Sequence, residues 1–536
     1  MRAYPSSRKA GLSGLILCLA TWSSLAEEIV ASDFLDMSLE QLLNVRVISA
    51  SITEVNFIDA PSNVLVITKE MIRRRGYRNL VDVLQDLPGY DFGMYHESGE
   101  STSSSVVRGL GEKDGDNPKL LVLVDSVPQN NISLNSVALL SHEQQLHDVE
   151  RVEIIQGPGS SIYGAQAYAG IIHIITKQEF TGFRGDVLVG ENKSREITFH
   201  YGEVFQDDVF FSLAMKKFDT DGDEGKGRPD PGGYYHGNAV PETLTQHYDE
   251  NGNYLENIGN PNAGEMIPDG YSNWFDTLTL RAKITSPNNE VELFYWNDEH
   301  GMSTSLTGFE YYANAPEYLV HRRGYHIYAK NSWHLDEKWT LRSKATYRET
   351  LVMPDTAFSY TYRFDGIPKS ASSASSQLSI EERLDYNYSN QGALILGYRV
   401  MRSSKSEYFY SIGRTQDIDS SIADSSWNIA VAGGGLNQVE PIHQVSVFEH
   451  AFFGLWNHNW NERHLSSIGL RYENSEEYGE VFTPRLAHVF KRGDWVLKAP
   501  AGTAFRQPTF SELYFDGVGN PDLSPEKVAT YELESN

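Results

Sequence analysis

The sequence predicts a transmembrane antiparallel β-barrel with a small α+β domain in front of it. Two compositional regimes meet near Lys177: short apolar runs mixed with helix signals come before it, and long alternating segments rich in aromatic residues come after it. Aromatic residues make up 12% of the chain, although its mean hydropathy is negative. This combination is typical of a membrane barrel, because lipid-facing side chains alternate with polar ones and leave no long apolar run. The net charge of −27 argues against a nucleic-acid partner, which needs a basic surface.

Residues 1–26 have the pattern of a signal peptide. A basic start is followed by an apolar run from Gly11 to Trp22, and Ser24 to Ala26 end in small residues at the cleavage positions. The run is too short for a membrane-spanning helix, which needs about 20 residues. Cys18, the only cysteine, lies inside this segment. The mature chain is therefore expected to be exported and to have no disulfide, thiolate metal site or cysteine nucleophile.

The α+β domain is expected at residues 53–178, after an N-terminal segment at 27–52. Ser38 and Gln41 form a capping box for a short helix, and Thr68 can cap a helix that Gly76 ends. A second helix, LVDVLQDL, is expected to stop at Pro88-Gly89. The remaining apolar runs predict an extended segment at 45–49 and strands at 64–67, 120–125, 152–155 and 171–176.

Residues 179–536 contain about fourteen strand candidates of about 11 residues, the length that crosses a bilayer at a tilt of about 45°. Some candidates meet at tight turns, and others are joined by long polar segments at 219–272 and 403–442. Short turns on one side and long loops on the other are typical of an outer-membrane barrel. A soluble sandwich or propeller is the alternative, but its strands are usually shorter. The candidates are 184–191, 195–204, 208–218, 274–286, 289–298, 322–335, 338–350, 375–388, 391–402, 443–459, 463–475, 482–491, 495–505 and 527–534.

Three motifs resemble ligand sites, and each lacks a required feature. The run EIIQGPGSSIYGA at 153–165 ends in Tyr163-Gly164-Ala165, where a phosphate loop needs a lysine, and a strand rather than a helix follows. In HEQQLH (142–147) the histidines are five residues apart, whereas the zinc protease motif needs four. The acidic loop 219–230 has Glu224 where a calcium loop needs glycine. No catalytic triad or carboxylate pair stands out, so neither an enzyme nor a metal site is expected.

The ordered motifs of the N-terminal domain resemble the plug domain of TonB-dependent outer-membrane receptors. The matching runs are APSNVLVITKEMI, LVDVLQDLPGY, VVRGL, LLVLVDSVP and VERVEIIQGPGSSIYGAQAYAGIIHIITK. Near the other end, TAFRQPTFSELY (503–514) and GNPDLSPEKVATYELE (519–534) are similar to the paired barrel boxes of the family. The resemblance covers most of the chain.

The resemblance implies a barrel of about 22 strands filled by the plug, in the outer membrane of a Gram-negative bacterium and in contact with its lipid. It also implies a ferric chelate or other scarce nutrient as ligand and TonB of the inner-membrane energy complex as partner, with no cofactor. An exposed extended segment can pair with a partner strand. Our candidate for this TonB box is Val45, Arg46, Val47, Ile48 and Ser49, with an ordinary edge strand of the plug as the alternative. Cobalamin, haem or a sugar are other possible ligands, haem being weakly disfavoured, and a surface adhesin without uptake is another function class.

The sequence departs from the family pattern at several positions. The family usually has two arginines that seat the plug on barrel glutamates; Arg108 is retained, but Gln156 replaces the second one. Ser126 replaces a usual glycine and His173 a usual asparagine. The chain stops without a terminal aromatic residue, so we expect a fragment lacking about eight strands.

Substrate contacts are expected from the plug apices and the long barrel loops 219–272 and 403–442. Each of these residues could instead be part of an ordinary solvated loop. The plug candidates are Tyr95, His96, Glu97, Lys113, Asp114, Asp116, Gln129, Asn130 and Asn131.

Overall fold

The structure is a computed structural model that describes most of the chain after residue 45. No helix in this described part is long and apolar enough to cross a membrane. The described residues are 46–49, 55–93, 104–107, 109–110, 118–136, 146–177, 180–205, 208–222, 274–301, 319–353, 355–358, 369–406, 409–412, 444–493, 495–514 and 519–535.

The plug is built on a five-stranded sheet in which only one pair of strands is parallel. Its strands are β3 (Val64–Thr68), β6 (Leu120–Val124), β7 (Val127–Pro128), β8 (Val149–Gln156) and β9 (Gly170–Thr176), in the spatial order β3-β8-β9-β6-β7. Strands β6 and β9 are parallel, and every residue of both is buried, as their continuous apolar runs predict. The four predicted strands are confirmed.

Two short antiparallel pairs flank this sheet. Strand β1 (Arg46–Val47) pairs with β2 (Val55–Asn56), and β4 (Tyr90–Gly93) pairs with β5 (Ser104–Val107). Of the described residues 46–49 in the predicted extended segment, Arg46 and Val47 form a strand.

The helices of the plug are short, and their caps follow the sequence signals. Thr68 accepts a bond from the Met71 amide at 3.4 Å to begin α1 (Lys69–Arg75), and Gly76, at φ 70°, ends it. Asn79 caps α2 (Leu80–Gln85), which ends two residues earlier than predicted. Helix α3 (Ser160–Tyr163) lies inside the glycine-rich run, and α4 (Phe510–Tyr514) follows a barrel strand. The predicted helix after Ser38 lies outside the described residues.

The barrel wall is one sheet in which each strand is antiparallel to its neighbour. Fourteen long strands match the fourteen predicted candidates; three short ones, β17 (Ala357–Phe358), β20 (Phe409–Ile412) and β26 (Glu534–Ser535), continue them. The long strands are β10 (Gly182–Val189), β11 (Arg195–Val204), β12 (Phe210–Thr220), β13 (Phe275–Thr285), β14 (Asn289–Gly301), β15 (Leu319–His334), β16 (Trp339–Val352), β18 (Lys369–Ser389), β19 (Gly392–Ser406), β21 (Gln444–Asn461), β22 (His464–Ser475), β23 (Gly479–Arg492), β24 (Trp495–Arg506) and β25 (Glu526–Tyr531).

The wall has the side-chain distribution of a membrane barrel. Charged side chains such as Lys216, Lys283 and Arg471 are buried on the inner face. Large apolar side chains such as Leu293 and Phe452 are exposed on the outer face. This apolar-out, polar-in alternation is the reverse of a soluble protein and suits a lipid surround.

The two ends of the wall differ. Tight turns join the strands at one end, which we call the short-turn end, and the long connections lie at the other. Three tryptophans next to these turns, Trp333, Trp460 and Trp495, are more than half exposed. Exposed tryptophans at one level are typical of a membrane–water interface, and short turns mark the periplasmic side.

Candidate functional site

The candidate TonB box segment lies against the plug sheet. Its strand β1 pairs with β2 through Val47 and Val55. Val47 and Ser49 are fully buried, whereas Arg46 is exposed. Val47 packs in an apolar cluster that includes Leu121 and Ile171 of the plug sheet. The segment is therefore held in place and is not an exposed strand in this structure.

A buried glutamate of β8 binds the end of this segment. One oxygen of Glu153 accepts bonds from the backbone amides of Ile48 and Ser49, both at 2.9 Å, and from the Ser49 hydroxyl at 2.7 Å. The other oxygen accepts a bond from Arg151 at 2.8 Å. Burial of Glu153 would raise its pKa, but electrostatic interactions with His173 and Arg151 and the bonds from Ser49 hold the pKa below its ordinary value. The carboxylate is ionised, and its bonds to the segment are charge-assisted.

His173 of β9 continues this network. Its Nε2 accepts a bond from the Ser126 amide at 2.9 Å, so the ring proton of the neutral form lies on Nδ1. Nδ1 then donates to the Ser49 hydroxyl at 2.9 Å, which leaves the hydroxyl proton for Glu153. Burial lowers the pKa of His173 to about 4, which keeps the ring neutral at physiological pH.

A tyrosine completes the contacts with the segment. The Tyr163 hydroxyl donates to the backbone carbonyl of Ser49 at 3.0 Å. We call Ser49, Glu153, Tyr163 and His173 the latch. These four residues join the segment to the two central strands of the plug sheet and to the glycine-rich run.

The glycine-rich run 153–165 contacts the barrel wall. A Cβ atom on Gly164 would lie 2.9 Å from both Arg471 and Glu473 of β22, and the backbone there has φ 87° and ψ −151°. The Ile162 carbonyl accepts a bond from Arg471 at 3.4 Å. The glycine at 164 is required by this close approach and by a backbone conformation open almost only to glycine.

Buried ion pairs join the plug to the wall, with the acid on the plug. Asp148 pairs with Arg281 of β13 at 3.0 Å. Asp125 pairs with Lys283 of β13, which also contacts Glu292 of β14 at 3.1 Å. Burial opposes ionisation of Asp125, but the Lys283, Lys330 and Arg281 charges hold its pKa well below its ordinary value. The family pattern led us to expect plug arginines on barrel glutamates, and these two contacts have the opposite polarity.

The two residues expected to seat the plug have different outcomes. Arg108 lies outside the described residues. Gln156 makes its described side-chain hydrogen bonds within the plug, donating to the Pro88 carbonyl at 2.9 Å and accepting from Asn63 at 3.5 Å. A role for either residue in a plug–barrel contact stays a prediction.

The described substrate candidates lie in the loop after β7. The Asn130 side chain is buried and bonds the Val122 amide and the carbonyls of Leu120 and Asn135. Asn131 accepts two amide bonds within the same loop, and Gln129 bonds the Val127 carbonyl. These side chains shape the loop, and contact between the loop and a substrate stays a prediction. Val45, Tyr95, His96, Glu97, Lys113, Asp114 and Asp116 lie outside the described residues.

Two motifs that were set aside in the sequence lie mostly outside the described residues. His147 is half-buried, and the rest of HEQQLH (142–147) lies outside the described residues except Leu146. Asp221 of the acidic loop pairs with Lys193, and most of that loop is also outside them. Among the described residues, no group of three His, Cys, Asp or Glu side chains could hold a metal ion.

Sequence patterns did not identify Glu153, Tyr163, Asp125 or Asp148 as site residues. A signal was present for Glu153, because a single carboxylate between apolar residues of a buried strand requires a partner. Its partner, Ser49, is about a hundred residues away, so no local pattern could identify the contact.

Two family profiles match the chain. One, described as "TonB-dependent Receptor Plug Domain", matches residues 56–171. The other, described as "TonB dependent receptor-like, beta-barrel", matches residues 217–534, more than half of the chain.

Curated relatives and solved structures are similar to the chain at low identity. The iron-regulated outer membrane virulence protein of Vibrio cholerae is 30% identical over 145 residues, which are 25% of this chain and 21% of that protein. The vitamin B12 transporter BtuB of Vibrio vulnificus is 22% identical over 480 residues, 88% of this chain and 64% of the relative. The siderophore receptor PiuA of Acinetobacter baumannii superimposes with a TM-score of 0.61 at 15% identity, over 93% of this chain and 73% of that one. The chain thus spans less than two thirds of the length of both curated relatives.

Proposed function

The chain belongs to the TonB-dependent receptor family, and from that premise we propose that it is an energy-coupled receptor that imports a scarce nutrient, with a ferric siderophore as first candidate. Its location is the outer membrane of a Gram-negative bacterium, as in the family. The apolar outer face of the wall agrees with that location. No reaction chemistry is needed for this function, because binding and a conformational change of the plug are sufficient.

The latch is the observation that supports energy coupling. Segment 46–49 is short and extended, and it is attached by hydrogen bonds rather than by a continuous strand pairing. TonB would pair its backbone with such a segment, a mode of recognition that uses main-chain hydrogen bonds. Pairing requires release of Val47 and Ser49 from their buried positions. The latch therefore determines how readily the segment reaches TonB.

The same contacts provide a route from the segment to the interior of the plug. Ser49 bonds Glu153 of β8 and His173 of β9, which are neighbouring strands of the plug sheet. A pull on the segment would act first on these bonds. It would act next on Ser126, which donates to the far side of the His173 ring and is followed by β7 and the 129–136 loop. The apical candidates of the plug would form the substrate site at the other end.

Cobalamin is the second candidate substrate. The alignment with the vitamin B12 transporter of Vibrio vulnificus covers 88% of this chain, whereas the alignment with the iron-regulated Vibrio cholerae protein covers 25%. The share of this chain that is aligned favours the vitamin B12 transporter as a guide to the substrate, whereas sequence identity favours the iron-regulated protein. Uptake measurements must separate the two substrates.

Growth of a strain that lacks this receptor tests the proposal. The strain is complemented with the gene and supplied with ferric siderophores or cobalamin as the sole iron or cobalamin source, with and without functional TonB. We expect growth on one class of compound that requires both the receptor and TonB. TonB-independent growth, or growth on every compound without the receptor, would refute energy-coupled uptake and leave adhesion as the alternative.

Cysteine cross-linking tests the assignment of the segment to TonB. The only natural cysteine, Cys18, lies in the expected signal peptide, so a new cysteine at the exposed Arg46 would be unique in the mature chain. We expect Arg46→Cys to cross-link to a single-cysteine TonB, and more so when substrate is present. The matched control is Arg73→Cys, an exposed position on α1. Equal cross-linking at both positions would contradict the assignment.

A further inference from the structure

A cavity of about 270 Å³ lies between the plug and one side of the barrel wall. The wall contributes residues of β15, β16, β18 and β19, and the plug contributes β6, Ser126 and Tyr163. Ile48 of the candidate TonB box also lines the cavity. Lys330 and Lys344 lie near the tight turn that joins β15 to β16, whereas Arg348 and Gln377 lie farther from the turns of their strands. The cavity therefore extends from near the short-turn end past the middle of the wall.

The cavity has an excess of positive charge. Among its described lining residues only Glu381 carries a carboxylate. Several of the cations have to share counter-charges: Arg342 and Arg383 both contact Asp385, and Arg399 shares Glu473 with Arg471. The six cations are Lys330, Arg342, Lys344, Arg348, Arg383 and Arg399.

Two of these cations bond only neutral oxygens in the described part of the chain. Arg348 is 9% exposed and donates to the carbonyls of Pro128 at 3.0 Å and Asn130 at 2.6 Å and to the Gln377 side chain at 2.8 Å. Lys344 donates to the Ser126 carbonyl. A buried charge that has no counter-charge is costly. Arg348 forms no ion pair among the described residues, and Lys344 lies opposite Glu381, the one carboxylate of the described lining. The two cations together therefore keep an excess of positive charge, which is expected to attract an anion into the cavity.

The remaining lining suits the oxygens of such an anion. Thr346 and Ser379 provide hydroxyl groups around the two cations. Hydroxyl donors together with arginine and lysine are the groups that proteins use to bind carboxylate and phosphate. The volume is at the lower end of small-molecule sites, so it admits a small polyanion or one charged arm of a larger ligand.

We propose that this cavity binds multiply charged anions bearing carboxylate or phosphate oxygens, and that it is an inner binding site for anionic cargo below the plug apices. The second part rests on the proposed uptake function, and the first part does not. Because Ile48 lines the cavity and its amide bonds Glu153 of the latch, release of the segment would open this site toward the short-turn end. The substrate class is thereby narrowed to anionic chelates.

Binding to the purified full chain in detergent tests the site directly. Citrate and pyrophosphate are the probes, one for each oxygen chemistry, and titration calorimetry at increasing salt is the measurement. We expect at least one probe to bind, with an affinity that falls as salt rises. Arg348→Gln and Lys344→Gln should each weaken binding by about tenfold, the effect of losing one charge-assisted contact.

Two further variants separate a loss of charge from a loss of structure. Arg402→Gln removes a cation from an exposed position of β19 and should leave binding unchanged. Arg348→Lys keeps the charge and should retain more affinity than Arg348→Gln. If neither probe binds, or if all four variants bind as the unchanged protein does, the site is refuted.

Uptake by the same variants distinguishes this inference from the proposed function. If the unchanged receptor supports no TonB-dependent uptake, the proposed function fails, whatever the binding data show. If it supports uptake of an anionic chelate, Arg348→Gln and Lys344→Gln should slow that uptake and Arg402→Gln should not. Uptake at the unchanged rate in all three variants would exclude an inner cargo site and leave the proposed function standing.

Discussion

At the scale of single residues, the ionised Glu153 is the centre of the latch. It is fully buried, and it receives three bonds from Ile48 and Ser49 through one oxygen and a bond from Arg151 through the other. A buried carboxylate is tolerated only when bonds and charges compensate its lost hydration. The segment supplies much of that compensation, so release of the segment and destabilisation of Glu153 are coupled.

Glu153→Gln should release the segment. The substitution keeps the size of the side chain but removes the charge, and bonds to a charged group contribute about 1.5 to 3 kcal/mol each. We expect a nitroxide on Arg46→Cys to become more mobile in the electron paramagnetic resonance spectrum. The matched control is Glu150→Gln on the same strand, whose salt bridge to Lys69 is half-exposed and contributes at most about 1 kcal/mol. Equal spectra in the two variants would show that Glu153 does not hold the segment.

His173 should make the latch sensitive to acid. Its pKa is lowered from 6.5 to about 4, mainly by burial; Glu153 and Asp125 favour the charged ring, whereas Lys330 and Arg151 oppose it. The folded protein binds a proton at His173 more weakly than the unfolded chain does. The contribution of neutral His173 to the free energy of unfolding is therefore complete above pH 6.5 and is lost as the pH falls toward 4. The loss is about 3 kcal/mol by the usual conversion of a pKa difference. Protonation also removes the acceptor for the Ser126 amide.

We therefore expect the nitroxide on Arg46→Cys to gain mobility as the pH falls from 6.5 to 4. His173→Asn keeps a donor and an acceptor in the side chain but cannot titrate there, so its spectrum should stay constant. A transition of the same size in His173→Asn would assign the pH dependence to another group.

At the scale of elements, local sequence signals predicted the helices and strands well but predicted the contacts between them less well. Thr68 and Gly76 begin and end α1 as their cap and left-handed preferences predict. The missing lysine predicted that the glycine-rich run is not a phosphate loop. Its short helix α3 and its contact with β22 could not be predicted, since they depend on a strand about 300 residues later.

Gly164→Ala should destabilise the plug more than Gly76→Ala. Gly76 has a left-handed backbone, which costs an alanine about 1 to 2 kcal/mol. Gly164, at φ 87° and ψ −151°, has a conformation that is open almost only to glycine. A Cβ at position 76 meets nothing within 4 Å, whereas at 164 it lies 2.9 Å from Arg471 and Glu473. The difference between the two variants in urea unfolding of the plug therefore reports the stricter backbone of Gly164 together with its contact with the wall. Equal unfolding midpoints would place Gly164 away from β22.

At the scale of the whole molecule, alternation along the strands predicted the barrel and its fourteen long strands. The prediction succeeded because a lipid surround imposes one side-chain period on every strand. The partners across the plug–wall boundary could not be predicted in the same way. Asp125 and Asp148 lie more than a hundred residues from Lys283 and Arg281, and buried charges of either sign satisfy the same electrostatic requirement. The family pattern therefore predicted that ions would seat the plug, but not that these two would be acids.

The Asp125→Asn/Asp148→Asn double variant should loosen the plug from the wall. Removing one partner of a buried ion pair costs about 3 to 5 kcal/mol, because the remaining charge has lost its compensation. After the change Lys283 retains Glu292 at 3.1 Å, and Arg281 retains the same carboxylate only at 3.8 Å. In planar lipid bilayers we expect the double variant to conduct more ions than the unchanged protein. We also expect its conductance to begin at a lower urea concentration.

A double variant of surface carboxylates provides the control for this conductance. Asp86→Asn/Glu150→Gln removes the same number of charges from the plug, but the pairs with Arg75 and Lys69 are half-exposed. Such pairs contribute little because water screens them, so conductance should match that of the unchanged protein. If both double variants increase the conductance equally, the increase is caused by a general loss of charge from the plug. The ion pairs of Asp125 and Asp148 then do not seat the plug. If only the buried pair matters, the plug is seated by acids on basic residues of β13, and a substitution at Lys283 or Arg281 should loosen it in the same way.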